Sequence, residues 1–166
     1  MPPRRRRRAA LALAAALAAV PVLAGCAAVQ VTSVHLQPAA RADTVACADV
    51  VVHLPTSVES ETVRETNAQG TSAWGSPTSI VLTCGITTPE VSDLSCYTIE
   101  GVDWLADIGT SKATFTTYGR SPGVQVVVDT KAVEAPTNVL HDVSSAVGTL
   151  PQNRACQSPS DATPAP

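Results

Sequence analysis

Aromatic side chains are nearly absent: one Phe, two Tyr and two Trp make up 3% of 166 residues. Any core must therefore come from Val, Ile and Leu, which suits one modest domain rather than two. After Arg8 there is no cluster of Lys and Arg. Nucleic acid or anionic headgroups bound by charge need such clusters, so neither is expected as a charge-driven partner. Catalytic signatures are missing as well. There is no S-x-x-K, and Gly119-Arg120-Ser121-Pro122-Gly123, which spells G-x-S-x-G, reads as a Gly- and Pro-rich turn between two expected strands and not as the strand-to-helix elbow that holds a serine nucleophile. There is no H-E-x-x-H, and His35, His53 and His141 stand far apart, so a zinc site would have to be assembled wholly by the fold. No C-x-x-C occurs to suggest thiol redox chemistry or a metal knuckle. The residues name no cofactor, no metal and no reaction.

What is present begins at the amino end. Arg4 to Arg8 precede an alanine-rich apolar run over residues 11–23, and the small pair Ala24 and Gly25 leads directly into Cys26. The arginines hold the amino end on the cytoplasmic side, the apolar run enters the export machinery, and the small residues fit a peptidase, so residues 1–25 read as a signal peptide. Leu23-Ala24-Gly25-Cys26 resembles the lipoprotein box of bacteria. That resemblance implies a diacylglyceryl group of palmitate-type chains on the Cys26 sulfur and cleavage after Gly25. One acyl chain holds a protein to a bilayer only marginally, at about 0.8 kcal/mol per buried methylene, and two give stable residence. The expected partner is thus membrane lipid through Cys26, and the expected location is the extracytoplasmic face of the cell membrane.

Two other readings use the same residues. Residues 9–29 are long enough to span a bilayer as an uncleaved anchor, although Pro21 and Gly25 interrupt the run and alanine contributes little to insertion. Alternatively, Cys26 lies beside a conventional cleavage site and the product is soluble and secreted. The arginine run also suggests twin-arginine export, but no Ser precedes it and no Phe-Leu follows. The Sec and twin-arginine routes both stay open.

Removing the leader changes the charge. Of 11 basic residues five are Arg4 to Arg8, so six face 14 acids in the 141-residue remainder, a net charge of −8 where the whole chain has −3. With Cys26 assigned to lipid, Cys47, Cys84, Cys96 and Cys156 form an even set in an exported chain and read as two disulfides. Four cysteines allow three pairings. The favoured one joins Cys84 to Cys96 across a short loop and Cys47 to Cys156 across the domain, the long bridge being worth about 4–5 kcal/mol by chain entropy.

Along the mature chain, residues 26–42 read as the lipidated cysteine and a flexible tether, about 16 residues of coil reaching roughly 20–25 Å. The folded domain is expected over residues 43–156. Asp43 is placed to cap a helix over residues 44–54 that Pro55 ends. Residues 58–66 read as loop and edge strand, and Asn67, Gln69 and Gly70 mark a turn. Trp74-Gly75-Ser76-Pro77 reads as a turn before a buried strand over residues 80–84. Further strands are expected over residues 97–102, continued or restarted at 103–106, then 112–118 and 124–129, with a turn at 119–123. From Pro136, the residues Val139, Leu140, Val143, Ala146, Val147 and Leu150 share one helical face. Residues 157–166 form a Pro, Ser and Ala tail with nothing to bury. The fold class expected is α+β: a small antiparallel sheet of about four to five strands, disulfide-braced, with an N-terminal and a C-terminal helix packed on it.

Several of these pieces together resemble a known family. Trp74-Gly75 with Pro77, Cys84-Gly85 with Pro89, Gly101-Val102-Asp103-Trp104, and Thr116-Thr117-Tyr118-Gly119-Arg120 with Pro122, followed by the Val139-Leu140 helix, look like the actinobacterial DUF3515 family of envelope proteins, often lipoproteins. The resemblance covers roughly residues 46–150. It implies location and fold, and carries no activity, ligand or catalytic residue with it.

Four residues are candidates for a ligand or a structural role. Trp74 and Trp104 would stack a sugar ring if exposed, or supply the core if buried. Asp103, with Asp107 on the far side of Trp104, suggests paired carboxylates or simply solvated strand ends. Arg120 would either staple Asp103 or meet an anionic ligand. The expected function is a non-enzymatic module that binds or scaffolds an envelope partner or cell-wall ligand. The alternative is a small cell-wall hydrolase or ligand carrier with Trp74, Trp104, Asp103 and Arg120 around a cleft.

Overall fold

The computed structural model describes residues 32–157. The expected signal peptide, Cys26 and nearly all of the expected C-terminal tail lie outside the described residues.

The described residues hold eight strands: β1 (Ser57–Val58), β2 (Glu61–Arg64), β3 (Thr71–Trp74), β4 (Ile80–Ile86), β5 (Ser95–Ile99), β6 (Val102–Ile108), β7 (Lys112–Thr117) and β8 (Gly123–Asp129). They form one antiparallel sheet in the order β1-β2-β3-β4-β8-β7-β6-β5. Two short helices, α1 (Val45–His53) and α2 (Asn138–Val147), flank the strands in sequence. The α+β expectation of four to five strands is therefore corrected: the chain is mostly β. Three features hid the extra strands. Glu100 and Gly101 both take positive φ and make a two-residue turn, so the strand expected over residues 97–102, continued or restarted at 103–106, is the hairpin β5–β6. Glu59 and Ser60 do the same for β1 and β2. Every residue of β3 is buried, so it shows no alternation to the eye.

Alternation is clean in the centre. Leu82 pairs with Val126, Val126 with Phe115 and Phe115 with Ala106, giving one row of core side chains across four strands. Cys84, Val124 and Trp104 extend the same inner face. α2 lays Val139, Leu140, Val143, Ala146 and Val147 into it, the face expected from their spacing. α2 touches both edge strands, β1 and β5. Laid flat, eight strands would put those edges roughly 34 Å apart, whereas α2 is about 15 Å long. The sheet is curled around α2. Neighbouring side chains on that helix reach opposite edges: His141 Nδ1 bonds Glu100 Oε1 at 3.0 Å, and Asp142 Oδ2 accepts from the Glu59 N–H at 2.9 Å.

The cap of α1 is Thr44, whose Oγ1 accepts from the Cys47 N–H, rather than Asp43. The described part of the expected tether, residues 32–42, is fastened to the body. Val34 bridges Thr66, Leu36 N–H donates to Asn67 Oδ1 at 2.7 Å, and Arg41 N–H donates to the Gly85 carbonyl at 3.1 Å. Gly85, at φ +102, is where the chain needs glycine, since a Cβ there would strike the Arg41–Ala42 backbone.

The disulfides are Cys47–Cys84 and Cys96–Cys156, with Cα–Cα distances of 5.5 and 5.8 Å. All four cysteines are paired as expected, but the favoured pairing is overturned. β4 and β5 are separated by β8, β7 and β6, roughly 19 Å in a flat sheet, beyond the reach of about 7 Å for a bridge. Cys84 also faces the core while Cys96, opposite Leu105, faces the other way. Among the described residues no helix is long and apolar enough to cross a membrane.

Candidate functional site

Period-two alternation along β6 sends consecutive residues to opposite faces. Trp104 enters the core and is fully buried, as is Trp74. Trp74 Nε1 donates to the Pro55 carbonyl at 3.1 Å, whereas Trp104 Nε1 has no hydrogen-bond partner among the described residues. Asp103 points to the outer face, where the C-terminal strap, residues 151–157, covers it. It accepts from Thr98 Oγ1 at 2.5 Å, from Gln152 Nε2 at 3.0 Å and from the Cys156 N–H at 3.0 Å. Asp107 is exposed and four residues further along the strand, about 13 Å away, so the two carboxylates do not form a pair.

Arg120 sits in the β7–β8 turn and is 5% exposed. Its Nη1 donates to the carbonyls of Gly148, at 3.3 Å, and Leu150; its Nη2 donates to the Gly101 carbonyl at 3.0 Å and to Gln152 Oε1 at 3.2 Å. Burial pushes the guanidinium below its ordinary pKa, and the Asp103 carboxylate offsets part of that. Instead of a direct Arg120–Asp103 staple there is a relay, with Gln152 accepting from the arginine and donating to the aspartate. Sequence reading missed Gln152, and nothing in its neighbours marks it. The Cys96–Cys156 bridge closes the strap over this network. Trp74, Trp104, Asp103 and Arg120 are thus dispersed: two in the core, two locked under the strap.

An open cleft lies next to that lock. About 190 Å³ in volume, it is bounded by the start of the β4–β5 connection, the 119–121 turn and the strap. Arg41 enters from one side, its Nη1 donating to Ser121 Oγ at 2.7 Å. Arg154 enters from the strap, donating to the Glu90 carbonyl at 3.0 Å, with the exposed Glu90 carboxylate 3.7 Å from its Nη2. Thr87, Thr88 and Asn153 add polar groups to the wall. Among the described residues no carboxylate lies within 4 Å of Arg41. Two of the six basic residues that follow Gly25 therefore line one small cleft, with Arg120 directly behind the same turn. Neither Arg41 nor Arg154 has a signal in the sequence, because the cleft joins segments more than a hundred residues apart.

A second depression, of about 380 Å³, flanks the Cys96–Cys156 bridge and is lined by uncharged residues, Val91, Leu94 and Tyr118 among them. A third, of about 240 Å³, lies beside α1 and Gly70. Among the described residues no three His, Cys, Asp or Glu side chains gather as a metal ion would require.

A family model described as a protein of unknown function, DUF3515, matches residues 8–155. No curated protein and no solved structure matches the chain.

Proposed function

We propose that this chain, which belongs to the DUF3515 family, is an exported lipoprotein held through Cys26 at the outer face of the cytoplasmic membrane, where its body serves as a non-enzymatic binding module. The observation that carries this reading is the division of the five cysteines. Four are spent in two bridges that tie α1 to β4 and the strap to β5, as suits an oxidising compartment. The fifth follows Leu23-Ala24-Gly25, in the order that a lipoprotein box requires. The four residues of the alternative cell-wall-acting cleft hold the fold together: the tryptophans are buried and Arg120 is engaged with main-chain carbonyls. No observation favours a reaction at them.

Fractionation of native cells carrying the wild type or Cys26→Ala tests the anchor. The wild type is expected with membranes and released only by detergent, and the variant is expected in the medium or wall fraction. A variant that stays with the membrane after a salt wash would contradict anchoring through Cys26.

A further inference from the structure

We propose that the cleft between Arg41 and Arg154 is a binding site for a phosphate group, borne by a membrane lipid or by a soluble anionic ligand. This deepens the binding-module reading and rests on it for the setting, while its chemistry stands on the cleft alone. The body is acidic, with six bases against 14 acids after the leader, yet the three arginines 41, 120 and 154 converge on one turn. Against them stand Glu90, at the rim, and Asp103, under the strap. A cleft of positive bias in a negative body focuses an anion to that point.

Hydrogen-bonding capacity agrees. The Arg41 guanidinium uses one of its five N–H groups on Ser121 among the described residues, leaving a fork free for two oxygens of one phosphate. Ser121 Oγ accepts from Arg41, so its own O–H can donate. Thr87 and Asn153 offer further donors from the facing walls. The Glu90 side chain is 83% exposed and 3.7 Å from Arg154, a weak pair that an incoming phosphate displaces at little cost. The volume of about 190 Å³ equals that of roughly six waters, enough for a phosphate group and the first atoms of an ester, whose carbons would meet Ile86 and Pro89. The neighbouring depression is larger but offers an anion no charge.

Calorimetric titration of the full mature chain, both disulfides formed and held in neutral detergent, tests this with three probes. These are inorganic phosphate, glycerol phosphate and monomeric dihexanoyl phosphatidylglycerol. Each Arg41→Gln and Arg154→Gln variant is expected to weaken binding about tenfold, while Lys131→Gln, the same charge change at an exposed site outside the cleft, leaves it unchanged. Tighter binding of the short-chain lipid than of glycerol phosphate assigns a lipid source, and equal binding a soluble one. Absence of binding to all three probes, or binding that R41Q does not weaken, would overturn the proposal. Should R154Q disturb the strap, R41Q decides alone, since Arg41 braces only an exposed hydroxyl. Lipid on Cys26 is measured separately by mass, so a diacylated protein that ignores phosphate loses the cleft and keeps the anchor.

Discussion

At the scale of single residues the decisive contrast is between one buried indole N–H that found a partner and another that, among the described residues, did not. Trp74 and Trp104 are equally buried, but among the described residues only Trp74 has its N–H hydrogen-bonded. Trp74→Phe strands the Pro55 carbonyl, whereas Trp104→Phe removes an N–H that was already unpaired. Both variants lose ring volume, so their difference isolates the hydrogen bond. W74F is expected to be less stable than W104F by about 1 kcal/mol in urea titrations. Arg120 is the larger case. Arg120→Met leaves three carbonyls and Gln152 without their donor and should cost about 3–5 kcal/mol. Arg120→Lys, which cannot present a planar fork to four acceptors, should recover only part of that. Equal stability of R120M and wild type by the same titration would remove Arg120 from the account of the fold.

At the scale of elements, the strap is the piece whose removal should matter most. The Cys96–Cys156 bridge closes 60 residues and Cys47–Cys84 closes 37, each worth about 4 kcal/mol by chain entropy. Cys96→Ser with Cys156→Ser should therefore lower stability by about that amount and expose residues 151–157 to proteases. Non-reducing peptide mapping of the wild type should recover these two pairs and neither Cys84–Cys96 nor Cys47–Cys156. Gly119 offers a milder probe. At φ +67 its missing Cβ would strike the Arg154 carbonyl, so Gly119→Ala should loosen the strap at a cost of about 1–3 kcal/mol.

Elements also show what the sequence could reveal. α2 was legible because its apolar face repeats at helical spacing, and α1 because Pro55 stops it. β7 and β8 were legible because a one-sided core imposes alternation, and β4 because a short apolar run follows the turn at Pro77. β2 was legible as the edge strand within residues 58–66, but β1 and the β5–β6 turn were not, since two-residue turns at Glu59-Ser60 and Glu100-Gly101 carry little of the usual Asn-Gly signal. The disulfide pairing was not legible at all: it depends on β5 following β4 in sequence while lying at the far edge of the sheet. The same holds for the cleft, whose two arginines meet only once the strap folds back beside Ser121.

At the scale of the whole molecule, cysteine chemistry links the amino-terminal segment to the folded body. The body needs an oxidising compartment for its bridges, and the leader would deliver it there with one thiol reserved. Intact-mass spectrometry of protein purified from native membranes, treated with an alkylating reagent but no reductant, tests both halves at once. The account predicts a chain beginning at Cys26, heavier by a diacylglyceryl group, with no cysteine alkylated. A product beginning at Met1, an unacylated amino terminus, or one alkylated thiol or more in the unreduced protein would contradict it.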